Sequence, residues 1–430
     1  MNRFLYSTLL TLILPFVPLK LLWRGFKQPA YLRHWGERFG FYSTPVNKAI
    51  IWLHCVSVGE TRAAEPLIRA LQLQYPQHQI LITHGTPTGR EASETLFGDA
   101  VFNNAVFNNT ALNNPVQRVY LPYDVPFAVN NFLKHFQPKI GLLMETELWF
   151  NLIAACKQRD IPLLLLNARL SGKSAKGYSK LGKLAAEGLQ NLAAVAAQTG
   201  EDAARLQALG AHNVSVAGNL KFDVKPPADS VDKGLQLRGL LGVNRTVFLA
   251  SSTRKGEEKH ILEAVKGLDV LTIIVPRHPQ RFNDVEGIIL KSGLSYQRRS
   301  NLVGPVDERI QVILGDSMGE LFTYYAACDF TFVGGSLLEY GGQNLIEAAC
   351  MGKPILVGEH TFNFAHATEN AIRAKAAIRV KNMAVLRDRV QYLLHNAPQR
   401  VKMGKAALRF SAASTGATVR MMKLIARYLH

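Results

Sequence analysis

The sequence predicts an α/β protein: two doubly wound, Rossmann-like domains facing a cleft, preceded by an apolar N-terminal membrane helix. Three observations lead there. From Ala49 onward, apolar strand-like runs alternate with helix-like segments, the signature of βαβ units and parallel sheets. The rhythm breaks between residues 218 and 245, in a stretch rich in Pro, Asp and Lys, and then restarts. The 430 residues exceed what one ordinary core holds and suit two.

The N-terminal segment, residues 1–30, comes first. Phe4–Leu22 is nearly all apolar and about the length of a membrane-crossing helix. Pro15, Pro18 and Lys20 interrupt it, which leaves a monotopic hairpin or an interfacial helix as the other reading. No small-residue cleavage site follows, so a removable signal peptide is not expected. Lys20, Arg24, Lys27, Arg33 and Arg38 follow the segment and only Arg3 precedes it. By the positive-inside rule this places the body on the cytoplasmic side of a single-pass anchor.

The first α/β domain, residues 31–217, carries six strand-like runs: 51–58, 79–84, 119–123, 139–145, 162–168 and 193–198. Helix-like segments at 60–74 and 147–158 lie between them. Residues 218–245 read as a linker. The second domain, residues 246–430, holds strand-like runs at 246–252, 271–276, 311–315, 330–335 and 354–358, and ends in helices from about Asn382. The Asn-rich stretch 100–115, which repeats AVFNN, reads as a surface-loop insertion.

Composition narrows the partners. Fifty Lys and Arg against 32 Asp and Glu leave a formal charge of +18, which favours phosphorylated substrates or an anionic membrane surface. The basic residues are spread along the chain without a dense run or a binding motif, so nucleic acid is not expected. Cys55, Cys156, Cys328 and Cys350 lie far apart with no metal-ligand spacing, and read as buried thiols. No GxG, DxD or HExxH occurs. Dinucleotide and Walker phosphate loops are thereby excluded, and a site without metal or cofactor is expected.

The loops after the strands are where ligands of doubly wound sheets sit. In the segment 334–358, Gly334-Gly335 end a strand, Glu339 and Gly341-Gly342 follow, and a helix is expected from about Gln343 with Glu347 on its first turns. Paired glycines admit a ligand close to backbone, although tight turns alone also explain them. Arg277 in VPRHPQRF is placed to pair with a phosphate or carboxylate. Met318, Gly319 and Glu320 in GDSMGEL open a helix, where ordinary capping is the other explanation. ASSTRKGEE (250–258) has the same strand–turn–helix form, and together these loops describe a nucleotide cradle. In the first domain LHCVSVGE places Glu60 at a strand end and helix start, as a proton acceptor or as a helix-capping acid. Glu145, Glu147 and Arg169 are further polar groups expected near the cleft, and the stretches 31–42, with Glu37, and 83–91 are candidates to contact a lipid head group.

At these residues the chain resembles the Kdo transferases of Gram-negative bacteria. The likeness is carried by RHWGERFGFY, WLHCVSVGET, HGTPTGRE, VYLPYD, METELWFNLI, NARLSGKSAKGY, NLKFD, VPRHPQRF, GDSMGEL, FVGGSLLEYGGQNLIEAA and HTFNF, in order from about residue 31 to 364. The resemblance implies a GT-B fold with an N-terminal acceptor domain and a C-terminal CMP-Kdo donor domain. It implies inverting, metal-independent transfer of Kdo to the lipid A precursor at the inner membrane. It assigns Glu60 as the base, and contacts to CMP to Pro276, Arg277, Met318, Gly319, Glu320, Asn344, Leu345, Ile346 and Glu347. Other readings are a GT-B enzyme using a UDP-sugar, or a non-catalytic nucleotide-binding membrane protein.

Overall fold

The computed structural model describes residues 1–98 and 116–429; the Asn-rich stretch 100–115 lies outside them. Two compact units emerge, one of Met1–Asp223 with Thr415–His430, the other of Val224–Ser414.

The first unit is built on strands β1 (Ile50–His54), β2 (Gln79–His84), β3 (Gln117–Tyr120), β4 (Ile140–Met144), β5 (Leu163–Ala168), β6 (Ala194–Ala197) and β7 (Val214–Val216). They form one sheet in the order β3-β2-β1-β4-β5-β6-β7, with every pair parallel. The two-residue period of a strand sends alternate side chains to opposite faces. Ile51 and Leu53 therefore enter one core with Leu67, Ile82 and Leu142, while Ile50 and Trp52 enter the other with Phe132, Leu143 and Leu165. Burial on both faces is why these strands read as continuous apolar runs.

The second unit repeats the plan with β8 (Val247–Thr253), β9 (Leu271–Pro276), β10 (Tyr296–Arg298), β11 (Val312–Leu314), β12 (Phe330–Val333), β13 (Ile355–Val357) and β14 (Ala377–Arg379). Their order is β10-β11-β9-β8-β12-β13-β14, again all parallel.

Several boundaries differ from expectation for local reasons. Within 218–245, Ser230–Leu241 is a helix of the second unit, packed on Leu321–Ala327. Gly234 permits that approach, since a Cβ there would lie 2.1 Å from the Ala326 Cβ. The C-terminal stretch is also divided. The helix Ala397–Ser414 ends the second unit, whereas Ala417–Ile425 belongs to the first, where Ala417, Met421 and Ile425 enter the core beside Leu67 and Leu71. The helix expected from Gln343 begins at Ile346, behind left-handed Gly341 and Gly342. The helix expected from Met318 begins at Leu321, behind left-handed Gly319. That expected from Glu147 begins at Phe150, after Glu145 turns the chain at φ 58°.

At the N-terminus, helices Arg3–Ile13 and Val17–Lys27 are joined by a 3-10 turn at Leu14–Phe16. By length and composition this stretch suffices to cross a membrane.

The return of the chain's last helix to the first unit depends on Asp223. Its carboxylate accepts from the backbone N–H groups of Gly416, Ala417 and Thr418, the donors that a helix start leaves unpaired. Asp223→Ala should destabilise the first unit by about 1–2 kcal/mol, the cost of a lost helix cap. Thermal melting checks the size, and faster amide exchange in Ala417–Ile425 checks the place.

Candidate active site

Ligands of doubly wound sheets gather where the strand order reverses. In the first unit that point lies between β1 and β4, and two loops flank it. The loop after β1 leads into the helix Val58–Gln74, capped by Ser57, whose hydroxyl accepts the Glu60 N–H at 3.4 Å. Glu60 reaches back in turn. One carboxylate oxygen accepts from the Ser57 hydroxyl and the other from the Val56 N–H, each at 2.8 Å. This reciprocal pairing is a capping box, shifted by one residue at its return bond. Glu60 is only 8% exposed, and burial raises its pKa despite the opposing bonds from Ser57 and Val56. Burial thus outweighs the stabilisation that a helix start provides.

The loop after β4 supplies Glu145 and Glu147. Glu145 lies 3.6 Å from the ammonium of Lys221. Thr146 is tied down by its hydroxyl, which donates to the Arg169 carbonyl, while its own carbonyl accepts from Tyr178 at 3.4 Å. Glu147 has its pKa pushed up to about 7 by burial first, then by the charges of Glu60 and Glu145. Three carboxyl groups thus share one charge environment with a single lysine, and one of them changes protonation near neutrality. Behind them His54 is fully buried with its pKa lowered to about 4 by desolvation, so it packs as a neutral ring against Trp149.

Glu37 takes no part in this cluster, and Arg169 meets its loop through backbone. Glu37 accepts from Arg90 at 2.6 Å and from the Tyr120 N–H at 2.7 Å, which occupies it structurally. The Arg169 side chain is exposed, and the residue contributes its carbonyl.

In the second unit the reversal lies between β8 and β12. The loop after β8 and the loop after β12 are joined by Glu257, which is wholly buried. One Glu257 oxygen accepts the N–H groups of Ser336 and Leu337 at 3.0 and 2.9 Å. The other accepts those of Gly335 and Arg254 at 2.6 and 2.9 Å. Gly334 is required for this closeness, since a Cβ there would meet the Ser252 carbonyl oxygen at 2.6 Å. Beside it Glu258, also buried, takes a two-pronged ion pair from Arg281 at 2.6 and 3.1 Å.

Around this frame stand the predicted donor residues. Arg277 follows β9, its N–H bonded to the Thr253 carbonyl, and its charge lowers the pKa of Glu347, which burial otherwise raises. Asn344 donates to Glu347 at 3.2 Å and caps the Ile346 N–H at 3.1 Å. Arg277, Asn344 and Glu347 therefore form one polar group. Pro276, Leu345 and Ile346 are buried, so their side chains pack and only backbone is left to face a ligand. Met318 is 59% exposed, and Glu320 is engaged by Arg299 at 3.2 Å. Glu339 is exposed. Among the described residues no three His, Cys, Asp or Glu side chains gather as a metal-ligand set.

Sequence reasoning did not single out Lys221 or Glu257. Lys221 falls inside the stretch read as a linker, where a single lysine points to no partner. Glu257 was visible only as one of two acids opening a helix.

Residues 33–224 match the family described as 3-Deoxy-D-manno-octulosonic-acid transferase (kdotransferase), and residues 259–410 match glycosyl transferases group 1. A 3-deoxy-D-manno-octulosonic acid transferase of Bordetella pertussis is 41% identical over 390 residues, which is 89% of this chain and 88% of that one. The chain belongs to the Kdo transferase family. The transferase is also 36% identical to the Haemophilus influenzae protein of that name over 440 residues, covering 100% and 99% of the two chains. A glycosyltransferase from Rickettsia africae, at 16% identity and a TM-score of 0.54, covers 89% of this chain and 99% of its own. That likeness concerns the fold alone, which is of the GT-B type.

The elevated Glu147 pKa has a consequence for stability. A carboxyl group raised from 4.5 to about 7 contributes stability that is fully present below pH 4.5 and lost as pH rises through 7. Glu147→Gln cannot ionise, so its melting temperature relative to wild type should climb between pH 5 and pH 8. Parallel melting curves across that range would show that Glu147 is not the titrating group.

Proposed function

We propose that this Kdo transferase moves Kdo from CMP-Kdo to the tetra-acyl lipid A precursor (lipid IVA) in lipopolysaccharide biosynthesis. Transfer inverts the anomeric carbon and uses no divalent metal. The enzyme works at the cytoplasmic face of the inner membrane, held by its N-terminal apolar helices. The observation that carries this reading is Glu60, a buried carboxylate at the first sheet's reversal point with a raised pKa.

In the reaction an acceptor hydroxyl oxygen bonds to the Kdo anomeric carbon as the bond from that carbon to the CMP phosphate oxygen breaks. CMP leaves with the electron pair, and the hydroxyl proton passes to Glu60. A base must be ionised beforehand yet basic enough to take that proton. The Ser57 and Val56 bonds keep Glu60 charged, and burial keeps it basic. The charge of Glu145 also favours proton uptake, while Lys221 opposes it.

On the donor side Arg277 is the cation for the departing phosphate. Backbone N–H groups of Met318, Gly319 and Glu320 add to it, and Asn344 and Glu347 offer polar atoms for the ribose hydroxyls. CMP-Kdo carries one phosphodiester and no pyrophosphate, so a guanidinium and oriented amides suffice to stabilise the leaving charge. The formal charge of +18 suits a phosphorylated lipid acceptor in an anionic leaflet.

Glu60→Gln keeps the shape and removes the basicity. Turnover of CMP-Kdo and detergent-dispersed lipid A precursor should fall by about 10²–10⁴-fold, with CMP affinity little changed. Near wild-type turnover would reduce Glu60 to a capping acid. EDTA should leave the rate unaltered, and loss on chelation restored by magnesium would overturn the metal-free reading. Mass spectrometry of the product identifies the acceptor. Thermal protection by UDP-sugars instead of CMP would point to another donor.

A further inference from the structure

We infer that the N-terminal helices lie in the plane of the membrane, inserted in one leaflet, instead of crossing the bilayer. This deepens the membrane reading above and rests on it.

A stretch of 25 residues, Arg3–Lys27, spans about 37 Å as a helix, against a hydrocarbon thickness of about 30 Å. If it crossed, Tyr6 and Ser7 would sit near the face opposite Lys27. They do not leave the first unit. The Tyr6 hydroxyl donates at 2.9 Å to Asp124, and the Ser7 hydroxyl donates at 2.7 Å to Asn151. Both acceptors are buried, at 3% and 6% exposure. The Asp124 carboxylate also accepts the backbone N–H groups of Asn151 and Leu152 at 3.0 and 2.8 Å, and Asn151 returns a bond to the Asp124 carbonyl. Tyr6 further meets Phe150 edge-on at 5.3 Å. Tyr6 and Ser7 therefore close a network built into the globular body.

The other end of the stretch is held as well. Leu21 and Gly25 are buried. A Cβ on Gly25 would come within 2.3 Å of Leu32, so the helix Val17–Lys27 packs tightly on the turn Pro29–Leu32. Ser7, Leu21 and Gly25 thus fall along one inward face, and the start of the stretch is bonded to the same unit into which its end leads.

The outward face is apolar and uncovered. Leu9, Leu12, Phe16, Leu19, Trp23 and Phe26 recur every three or four residues and are between 45% and 89% exposed. Lys20, Arg24 and Lys27 border the stripe, with the Lys27 ammonium 5.1 Å above the Trp23 ring. An apolar stripe edged by cations is what an in-plane helix shows to the boundary between acyl chains and anionic headgroups. The occupant is the lipid of a single leaflet. The network also ties that leaflet to the helix Phe150–Gln158, whose first residue is three positions after Glu147.

The test uses the full-length protein. Asn2→Cys is treated with a membrane-impermeant maleimide in intact spheroplasts and in inside-out vesicles, with a cysteine at the exposed Lys291 marking the side of the body. Both cysteines should react only in inside-out vesicles. Reaction of the Asn2 cysteine in spheroplasts, or its protection from both sides, would overturn the in-plane arrangement while leaving membrane attachment intact. Separately, purified protein is mixed with vesicles of phosphatidylethanolamine containing phosphatidylglycerol. Wild type should float with them in high salt, and Leu12→Glu/Phe16→Glu should not, with CMP affinity retained in both. A wild-type protein that ignores the vesicles would sink the membrane reading itself. If it then sediments as a dimer that Phe16→Glu splits, the stripe is a contact between copies.

Discussion

A buried carboxylate accepting backbone N–H groups is the interaction on which each loop of interest depends. Glu257 is the fullest case, with four N–H groups drawn from two loops. Asp124 gathers two from the start of one helix, and the half-buried Asp223 gathers three from the start of another. Glu60 folds back on Val56 by the same bond. A parallel sheet delivers the C-terminal ends of all its strands to one edge, where the loops into the following helices leave amides without partners. A charged acceptor satisfies several at once, each bond worth about 1.5–3 kcal/mol when the acceptor is ionised. The desolvation that such burial costs is visible in the raised pKa of Glu257.

The same principle separates neighbouring acids of like composition. Glu37 is saturated by Arg90, His34 and the Tyr120 amide. Glu60 is bonded only locally, and burial, with the charge of Glu145 behind it, raises its pKa. Glu147 carries the strongest shift of the cluster because burial and two like charges act in one direction. The division between a saturated carboxylate and one with a raised pKa is a matter of surroundings, not of residue type.

Much of the frame was legible in the sequence because central parallel strands are buried on both faces. All eleven apolar runs, such as QILITH and LTIIVP, fall on observed strands. The three strands that escaped notice, β7, β10 and β14, stand at sheet edges and have three residues each. Tyr296-Gln297-Arg298 buries too little to leave an apolar signature. The helices expected from Met318 and Gln343 start later, because left-handed Gly319 keeps the first turn out of one and Asn344, after left-handed Gly341 and Gly342, caps the other at Ile346. In the candidate site Glu60 and Arg277 were legible as polar residues at strand ends. Lys221 was not, since its meeting with Glu145 depends on a turn 76 positions away in the chain.

The helix Ala417–Ile425 has a consequence for how the molecule comes into being. Its apolar side completes the core of a unit whose other parts end at Asp223. On the ribosome the whole of Val224–Ser414 must therefore emerge before the first unit can close its interior. The second unit, continuous in sequence, is free to fold as soon as it is made. The nascent first unit meanwhile waits with Leu67, Leu71 and Ile425's future neighbours uncovered, while its apolar N-terminal stripe is already available to lipid. The first unit's core is thus completed only by the helix Ala417–Ile425, which acts as its closing stitch.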